Sequence, residues 1–295
     1  MRQYHCSPTD PVRNVEFMKL NYFEAEDGVR LAYRETGQGL PVLALAGLTR
    51  DSRDFDYLLQ HHPQCRLICL DSRGRGASAW AAPQTYTLAQ EAKDALRLLD
   101  HLGLARAAIL GTSRGGLLGM ILASTAHKRL LGLCLNDVGP VLEREGLLRI
   151  ANYVGVKPAV ATLKEMALRL PQRSPGFANV AGSRWMEEAE RHFTEGPEGV
   201  GLPYDPGLSV TLGTVPEGPL PDAWPLFDAC TGLPQALIRG ANSDILSAAT
   251  ATEMRRRRPD MLHVEIPGRG HVPFLDEPEA VALINDWLQL MKKNL

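Results

Sequence analysis

The chain has 295 residues, of which 44% are hydrophobic and 22% charged, and its formal net charge is −2. This balance is typical of a globular protein, and it gives no support to a nucleic-acid partner or to an anionic-membrane partner. The five cysteines show no paired spacing, so the sequence indicates neither a disulfide framework nor a spaced metal motif. The polar first residues lack the apolar centre of a signal peptide, and no apolar run is long enough to span a bilayer. We therefore expect a cytoplasmic protein.

Strand-like and helix-like segments alternate along most of the chain, which predicts an α/β fold with a mostly parallel sheet and helices on both faces. Two strands around the turn at Asp27 and Gly28 read as an opening hairpin. A helix over 87–102 has apolar positions three and four residues apart, and Thr87 with Gln90 forms a candidate capping box at its start. The predicted strands cover 17–24, 29–33, 41–46, 66–70, 107–110, 131–135, 236–239 and 262–266, and a last helix covers 278–291.

This alternation stops between about residues 141 and 225. Strand patterns vanish there, and helical stretches over 142–153, 159–170 and 183–193 are separated by joints rich in proline and glycine. The segment follows a strand end, on the side where open α/β sheets bind ligands. We interpret 141–225 as a helical lid on a core formed by 1–140 and 226–295. The alternative is a loop-rich decoration without a catalytic part.

The pentapeptide Gly111-Thr112-Ser113-Arg114-Gly115 lies between a predicted strand and an apolar helix that begins near Leu117. A G-x-S-x-G sequence in this context places the serine on a sharp turn and exposes its hydroxyl above the sheet edge. The motif alone is weak evidence, because about one chain in ten of this composition contains it by chance. The flanking strand and helix therefore carry the prediction that Ser113 is a nucleophile.

A serine hydroxyl needs a neighbouring base, and the favoured candidate is His271, in a glycine-containing loop after the last strand. The base needs a carboxylate that orients its ring. Asp244 follows the penultimate strand, and the order Ser113, Asp244, His271 matches the order expected for this architecture. The rival is Asp137, which ends the strand after the nucleophile helix and could reach the same histidine.

Acyl transfer also requires N–H donors that face the developing oxyanion. One donor in this arrangement is the backbone N–H after the nucleophile, here that of Arg114, and the other comes from the loop after the third strand. In that loop Gly47 permits close approach of the backbone, and the N–H of Leu48 is the favoured second donor. Thr49 is a further candidate for contact with the substrate.

Two arginine side chains are candidates for substrate contact. Arg50 follows the oxyanion loop and Arg114 follows the nucleophile. If either side chain points inward, an acidic substrate is expected, because guanidinium pairs well with carboxylate. The alternative is structural pairing with Asp51, Asp54 or Asp137.

Together these segments resemble the α/β-hydrolase family over residues 17 to 290. The resemblance rests on AGLTR at 46–50, DSRGRGAS at 71–78, GTSRGG at 111–116, NDVGP at 136–140 and GRGH at 268–271. The chain is similar to the lid-bearing branch of this family, which includes carboxylesterases, enol-lactonases and carbon–carbon bond hydrolases. Dehalogenase and epoxide-hydrolase relatives carry an aspartate at the nucleophile, which Ser113 argues against. Many members have His-Gly where this chain has Ala46-Gly47.

The resemblance implies a serine hydrolase that cleaves a small carboxylic ester or lactone through an acyl-enzyme. Two alternatives stay open: a carbon–carbon bond hydrolase of a vinylogous diketone, and a ligand receptor in which the triad is idle. A small-molecule substrate is expected, with no cofactor and no metal. The sequence does not define the oligomeric state.

Overall fold

The computed structural model describes residues 18–62, 64–213 and 220–292. Residue 17, the predicted start of the first strand, and the leader before it lie outside this description. The strands are β1 (Lys19–Glu24), β2 (Arg30–Thr36), β3 (Leu40–Leu45), β4 (Cys65–Asp71), β5 (Ala107–Thr112), β6 (Leu130–Asn136), β7 (Thr194–Gly196), β8 (Gly199–Gly201), β9 (Gln235–Gly240) and β10 (Leu262–Ile266). The helices are α1 (Leu88–His101), α2 (Arg114–Ala126), α3 (Arg144–Ala151), α4 (Leu163–Arg173), α5 (Gly182–His192), α6 (Trp224–Asp228), α7 (Ala248–Arg257) and α8 (Pro278–Lys292).

Eight strands form one sheet in the order β1-β2-β4-β3-β5-β6-β9-β10. β1 and β2 pair antiparallel, and β2 pairs antiparallel with β4. From β4 to β10 all neighbours are parallel. The mostly parallel α/β sheet and the opening hairpin predicted from the sequence are confirmed. The carboxyl ends of the parallel strands share one edge, and the motif serine follows β5 at that edge.

Helices cover both faces of the sheet. One apolar layer contains side chains of α1, α2, α6 and α7, and the opposite layer contains side chains of α8 and of the 3₁₀ segment Ser52–Leu58. The helix α1 shows why the periodicity was informative, because Ala92, Ala95 and Leu99 are buried on one side. Thr87 Oγ1 accepts the N–H of Gln90 at 3.2 Å, but the Gln90 side chain donates to Asp94, so only half of the capping box forms.

Between β6 and α6 the chain forms α3, α4, α5 and a short antiparallel hairpin of β7 and β8. Met166, Trp185, Ala189 and Val200 belong to a small apolar core of this segment. Two details of the sequence interpretation are wrong. The segment does contain strands, although each has only three residues, and α4 continues through Pro171 to Arg173 instead of ending before the proline.

Within the described ranges, no helix combines the length and the apolar character needed to cross a membrane.

Candidate active site

Ser113 occupies the turn between β5 and α2, with φ 51° and ψ −117°. Positive φ is strained for a residue with a side chain, and such turns present that side chain at the sheet edge. A Cβ on Gly115 would lie 1.9 Å from the carbonyl oxygen of Leu45, and one on Gly111 would lie 2.4 Å from the carbonyl oxygen of Gly115. The two motif glycines are therefore required by the close approach of backbone around the serine.

His271 follows β10 and reaches back to this turn. Its Nε2 lies 2.8 Å from Ser113 Oγ, and its side chain is largely buried. This distance is that of a hydrogen bond between the hydroxyl and the ring. The structure thus brings together the two residues that the sequence proposed as nucleophile and base, and a proton can pass directly between them.

The carboxylate beside the ring is Asp137, and the expectation that Asp244 occupies this place is wrong. Asp137 Oδ2 lies 2.8 Å from His271 Nδ1. The same carboxylate accepts the N–H of Gly240 at 2.9 Å and the hydroxyl of Ser243 at 2.6 Å. Asp137 has φ 57° and is fully buried. Two further donors therefore hold this carboxylate in the orientation that fixes the ring.

Asp244 has a different partner. It accepts two hydrogen bonds from the guanidinium of Arg149 in α3, at 2.6 Å from Nε and 2.8 Å from Nη2. Burial acts to lower the pKa of Arg149, but the Asp244 carboxylate outweighs it and the pKa is raised. The pair is a bidentate fork, which is a geometrically specific contact. Asp244 therefore joins the core to the inserted helices instead of orienting the histidine.

The loop that carries Leu48 lies against Ser113. A Cβ built on Gly47 would be 3.9 Å from Ser113 Cβ, which is van der Waals contact. The carbonyl oxygen of Leu48 accepts a 2.8 Å hydrogen bond from Nε of Arg75, a buried side chain of the turn after β4. The loop is thereby fixed from behind, with its peptide beside the serine.

The other expected donor residue, Arg114, begins α2, and its side chain pairs with a carboxylate of α1. Arg114 Nε and Nη2 donate to the carboxylate of Glu91 at 3.0 and 2.9 Å. Arg75 Nη1 donates to the same carboxylate at 2.9 Å. Burial acts to raise the pKa of Glu91, but Arg75 and Arg114 outweigh it, and the pKa is lowered. The Arg114 side chain is therefore paired structurally, with Glu91 instead of the aspartates named from the sequence. Glu91 links the two segments that carry the expected oxyanion donors.

Two cavities meet at His271, Ser174 and Arg50. The wider lobe has a volume of about 120 Å³, and the narrower lobe has a volume of about 50 Å³. Thr49 and Arg50, both proposed from the sequence as candidates for substrate contact, line the wider lobe. Further residues of the wider lobe include Arg149, Tyr153, Met166, Leu170, Arg173 and Tyr204, and those of the narrower lobe include Asp54, Asn136, Phe177, Trp185, Glu188 and Phe274.

Arg50 is paired with acidic side chains on one flank. Its Nη1 lies 3.6 Å from Asp54 and 3.7 Å from Glu188, and it also contacts the ring of His192. Burial acts to lower the pKa of Arg50, and the two carboxylates more than offset it. Arg50 therefore lines the cavity while it is paired with two carboxylates. In the described part of the chain, no group of three or more histidine, cysteine, aspartate or glutamate side chains is arranged to hold a metal.

Sequence reasoning missed Glu91, Arg149 and Arg173. Glu91 lies on the buried face of α1, where an apolar residue is the ordinary occupant. Arg149 and Arg173 belong to the inserted helices and reach the cavity only through the packing of that segment. No local pattern marks Arg149 and Arg173, whereas a charged side chain among the apolar positions of α1 was a signal for Glu91.

The chain is similar to several known proteins over most of its length. The model of the alpha/beta hydrolase family matches residues 42–282. A 3-hydroxybutyrate-oligomer hydrolase of Cupriavidus necator is 35% identical over 269 residues, which cover 86% of this chain and 91% of that protein. A 2-(acetamidomethylene)succinate hydrolase of Mesorhizobium japonicum is 26% identical, over 85% of this chain and 88% of that protein. The crystal structure of an alpha/beta hydrolase from Novosphingobium aromaticivorans matches with a TM-score of 0.85 and 37% identity, over 92% of this chain and 98% of that one. The chain therefore belongs to the α/β-hydrolase family.

Proposed function

We propose that this protein is a serine hydrolase that cleaves short esters of hydroxy acids. The observation that carries the proposal is the hydrogen-bonded row Ser113–His271–Asp137, with 2.8 Å between the atoms at both contacts. A base within 3 Å of a hydroxyl, itself oriented by a buried carboxylate, is the arrangement that activates serine. The substrate class is supported by the similarity to a hydrolase of 3-hydroxybutyrate oligomers.

In the first half of the reaction Ser113 Oγ bonds to the ester carbonyl carbon, and its proton passes to His271 Nε2. The backbone N–H groups of Leu48 and Arg114 stabilise the oxyanion. The bond from carbon to the alcohol oxygen then breaks, and His271 returns the proton to the leaving alcohol. Asp137 stabilises the charged ring between these steps.

In the second half a water molecule gives a proton to His271 and attacks the acyl-enzyme carbonyl. Collapse of this second tetrahedral intermediate releases the acid and restores Ser113. We propose that the segment 141–225 acts as the lid for this chemistry, because α3 and α4 supply walls of the cavity beside His271. A lid that excludes bulk water strengthens the interaction of the donors with the oxyanion.

The Ser113→Ala variant tests this function. We expect kcat on the 3-hydroxybutyrate dimer to fall by at least about 10⁴-fold, as in other enzymes that use such a triad. Labelling by a fluorophosphonate should disappear in the same variant. Ser124→Ala is the matched control, since Ser124 is an exposed serine of α2, and it should keep both signals.

Turnover of the dimer by Ser113→Ala at the wild-type rate would exclude the mechanism. Rapid hydrolysis of a vinylogous diketone, with no hydrolysis of esters, would instead favour the carbon–carbon reaction. Absence of labelling in the folded wild-type protein would favour a receptor with an idle triad.

A further inference from the structure

The wider lobe of the cavity is lined by positive charge. Arg50, Arg149 and Arg173 line it, together with the rings of His192 and His271, and among the described residues no aspartate or glutamate belongs to its lining. The carboxylates that pair with these arginines are not part of this lining: Asp54 and Glu188 pair with Arg50, and Asp244 pairs with Arg149. The space itself therefore presents cations to whatever it binds.

Arg173 differs from the other two arginines. Arg173 is exposed and is the last residue of α4. In the parts of the chain that the structure describes, its side chain forms no hydrogen bond or ion pair with another side chain. A guanidinium offers five N–H donors in a planar fork. An arginine that lines a cavity without an internal partner is therefore available to an anionic ligand.

Arg149 provides a second, fixed cation in the same lobe. The fork to Asp244 uses its Nε and one N–H of Nη2, so three of about five N–H donors of a guanidinium remain for another acceptor. Tyr153 lines the lobe as well. Burial raises the pKa of Tyr153, so this phenol stays protonated at neutral pH and can donate a hydrogen bond.

We infer that Arg173 and Arg149 form a subsite for a carboxylate of the substrate, in the lobe that adjoins His271. This inference rests on the proposed ester hydrolysis and names the class of ester, which is an ester that carries a free carboxylate. A carboxylate matches the planar fork of arginine in geometry and charge. The inference places recognition on Arg173, in the inserted segment, and not on Arg50 or Arg114, which are paired within the protein.

The narrower lobe has the complementary character. Asn136 Nδ2 donates to the carbonyl of Pro273, which leaves Asn136 Oδ1 as a buried acceptor without a partner in the described structure. Asp54 and Glu188 add carboxylate oxygens to the same lining. A hydroxyl group is a donor that fits these acceptors. A hydroxy-acid dimer, with a carboxylate at one end and a hydroxyl at the other, would therefore span both lobes across His271.

This orientation has a consequence for the products. In such an oligoester the free carboxylate lies on the alcohol side of the last ester bond. With the carboxylate in the wider lobe, the proposed orientation places that bond at His271, where the two lobes meet. Hydrolysis adds the elements of water across this acyl carbon–oxygen bond and releases one hydroxy acid from the carboxylate end.

The experiment compares two substrates in two variants. The substrates are the 3-hydroxybutyrate dimer and the same dimer with a primary carboxamide in place of its carboxylate. The variants are Arg173→Gln and, as the matched control, Arg169→Gln, because Arg169 is one turn earlier on α4 and donates to a backbone carbonyl instead of lining the cavity. Initial rates give kcat and KM for every combination.

We expect the wild-type protein to prefer the carboxylate dimer. Arg173→Gln should lower kcat/KM for this dimer about 10- to 100-fold, mainly through KM, and change the value for the carboxamide less than about threefold. Arg169→Gln should change neither. An equal loss for both substrates, or a wild-type protein that treats them alike, would overturn the inference.

A binding measurement separates this inference from the proposed function. Calorimetric titration of Ser113→Ala protein with each dimer reports recognition without turnover. The subsite is supported if Ser113→Ala binds the carboxylate dimer more tightly than the carboxamide dimer and the double variant with Arg173→Gln does not. This holds even if the wild-type protein hydrolyses neither dimer. No difference in affinity between the dimers excludes the subsite even if ester hydrolysis is rapid.

Discussion

Asp137 is held where a carboxylate can orient His271 and do little else. Its backbone lies at φ 57°, its side chain is inaccessible, and its two oxygens accept bonds from Gly240, Ser243 and His271. A strained residue persists where the surrounding contacts over-determine it. This concentration of contacts on a single side chain distinguishes Asp137 from Asp244, whose side chain is partly exposed and paired with one arginine.

The substitutions Asp137→Asn and Asp244→Asn test the assignment of the orienting carboxylate. Asparagine keeps the shape at position 137 but no longer stabilises the charged ring, so kcat should fall about 10³- to 10⁴-fold. Asp244→Asn should lower kcat less than about tenfold, because only the fork to Arg149 is changed. Steady-state kinetics on one ester, with circular dichroism to confirm folding, decides the matter. The reverse ranking of the two variants would restore Asp244 as the orienting residue.

The sequence could not choose between these two aspartates for a geometric reason. β6 and β9 are neighbours in the sheet, so the loops that follow them lie side by side. Asp137 and Asp244 are therefore delivered to the same edge, and both are within the reach that strand order predicts. The decision depends on a backbone conformation at one residue and on Arg149, a partner from the distant helix α3.

At the scale of elements, one carboxylate on α1 joins the two segments beside the nucleophile. Glu91 binds Arg114 at the start of α2 and also Arg75, which holds the Leu48 carbonyl. The expected oxyanion donors belong to Leu48 and Arg114. Because preorganised donors act without reorganising during reaction, a rigid link between their segments is expected to matter for the rate more than for substrate binding.

Glu91→Gln tests this link, with Asp94→Asn as the control. Asp94 lies one turn later on α1, is also buried, and pairs with Arg73 instead of the oxyanion segments. Both variants leave a buried arginine with less charge compensation, which costs about 3–5 kcal/mol when an ion pair is broken. Only Glu91→Gln should lower kcat, by about 10- to 100-fold with little change in KM, and weaken binding of a boronic acid that mimics the tetrahedral intermediate.

The stability of the wild type and of Glu91→Gln at acid pH is a second measure of the role of Glu91. The pKa of Glu91 is lowered in the folded state, so its contribution is present above its unfolded pKa and is lost as the pH falls through the folded value. The free energy of unfolding of Glu91→Gln should therefore depend less on pH below about 4.5 than that of the wild type. Equal losses of kcat in Glu91→Gln and Asp94→Asn would reduce Glu91 to a structural role.

Most elements were predictable because their signals are local. A serine between two glycines, a strand before it and a helix after it define the turn at Ser113 without knowledge of packing. The β7–β8 hairpin was not predicted, because three-residue strands bounded by glycine have too few side chains to show alternation of apolar and polar residues. The predicted end of α4 was too early, because the helix was ended before Pro171. A proline in the last turn can be accommodated when tertiary packing holds the helix.

At the scale of the whole molecule, α5 of the inserted segment packs on the 3₁₀ segment Ser52–Leu58 of the core through polar contacts. The hydroxyl of Tyr57 lies 3.0 Å from Oε1 of Glu188 and accepts a 2.7 Å bond from Arg191. Burial, followed by the neighbouring Glu188, raises the pKa of Tyr57, so its proton stays available for the carboxylate. The guanidinium groups of Arg184 and Arg191 stack on its ring at 3.8 and 4.1 Å. The same hydroxyl lies 3.0 Å from Oε2 of Glu187, so one core residue connects to four side chains of α5.

Removing the Tyr57 hydroxyl tests whether this contact governs a lid. Tyr57→Phe keeps the ring and its cation–π contacts but leaves the Glu188 carboxylate short of a donor, at a cost of about 1–3 kcal/mol. If the contact holds α5 down, hydrogen exchange over 182–192 and proteolysis of the inserted segment should accelerate, and KM should rise. Tyr22→Phe is the matched control, since Tyr22 also stacks with an arginine but is exposed on β1. Exchange that accelerates equally in the sheet and in α5 would mean that Tyr57 stabilises the whole fold, and that the inserted segment does not open as a unit.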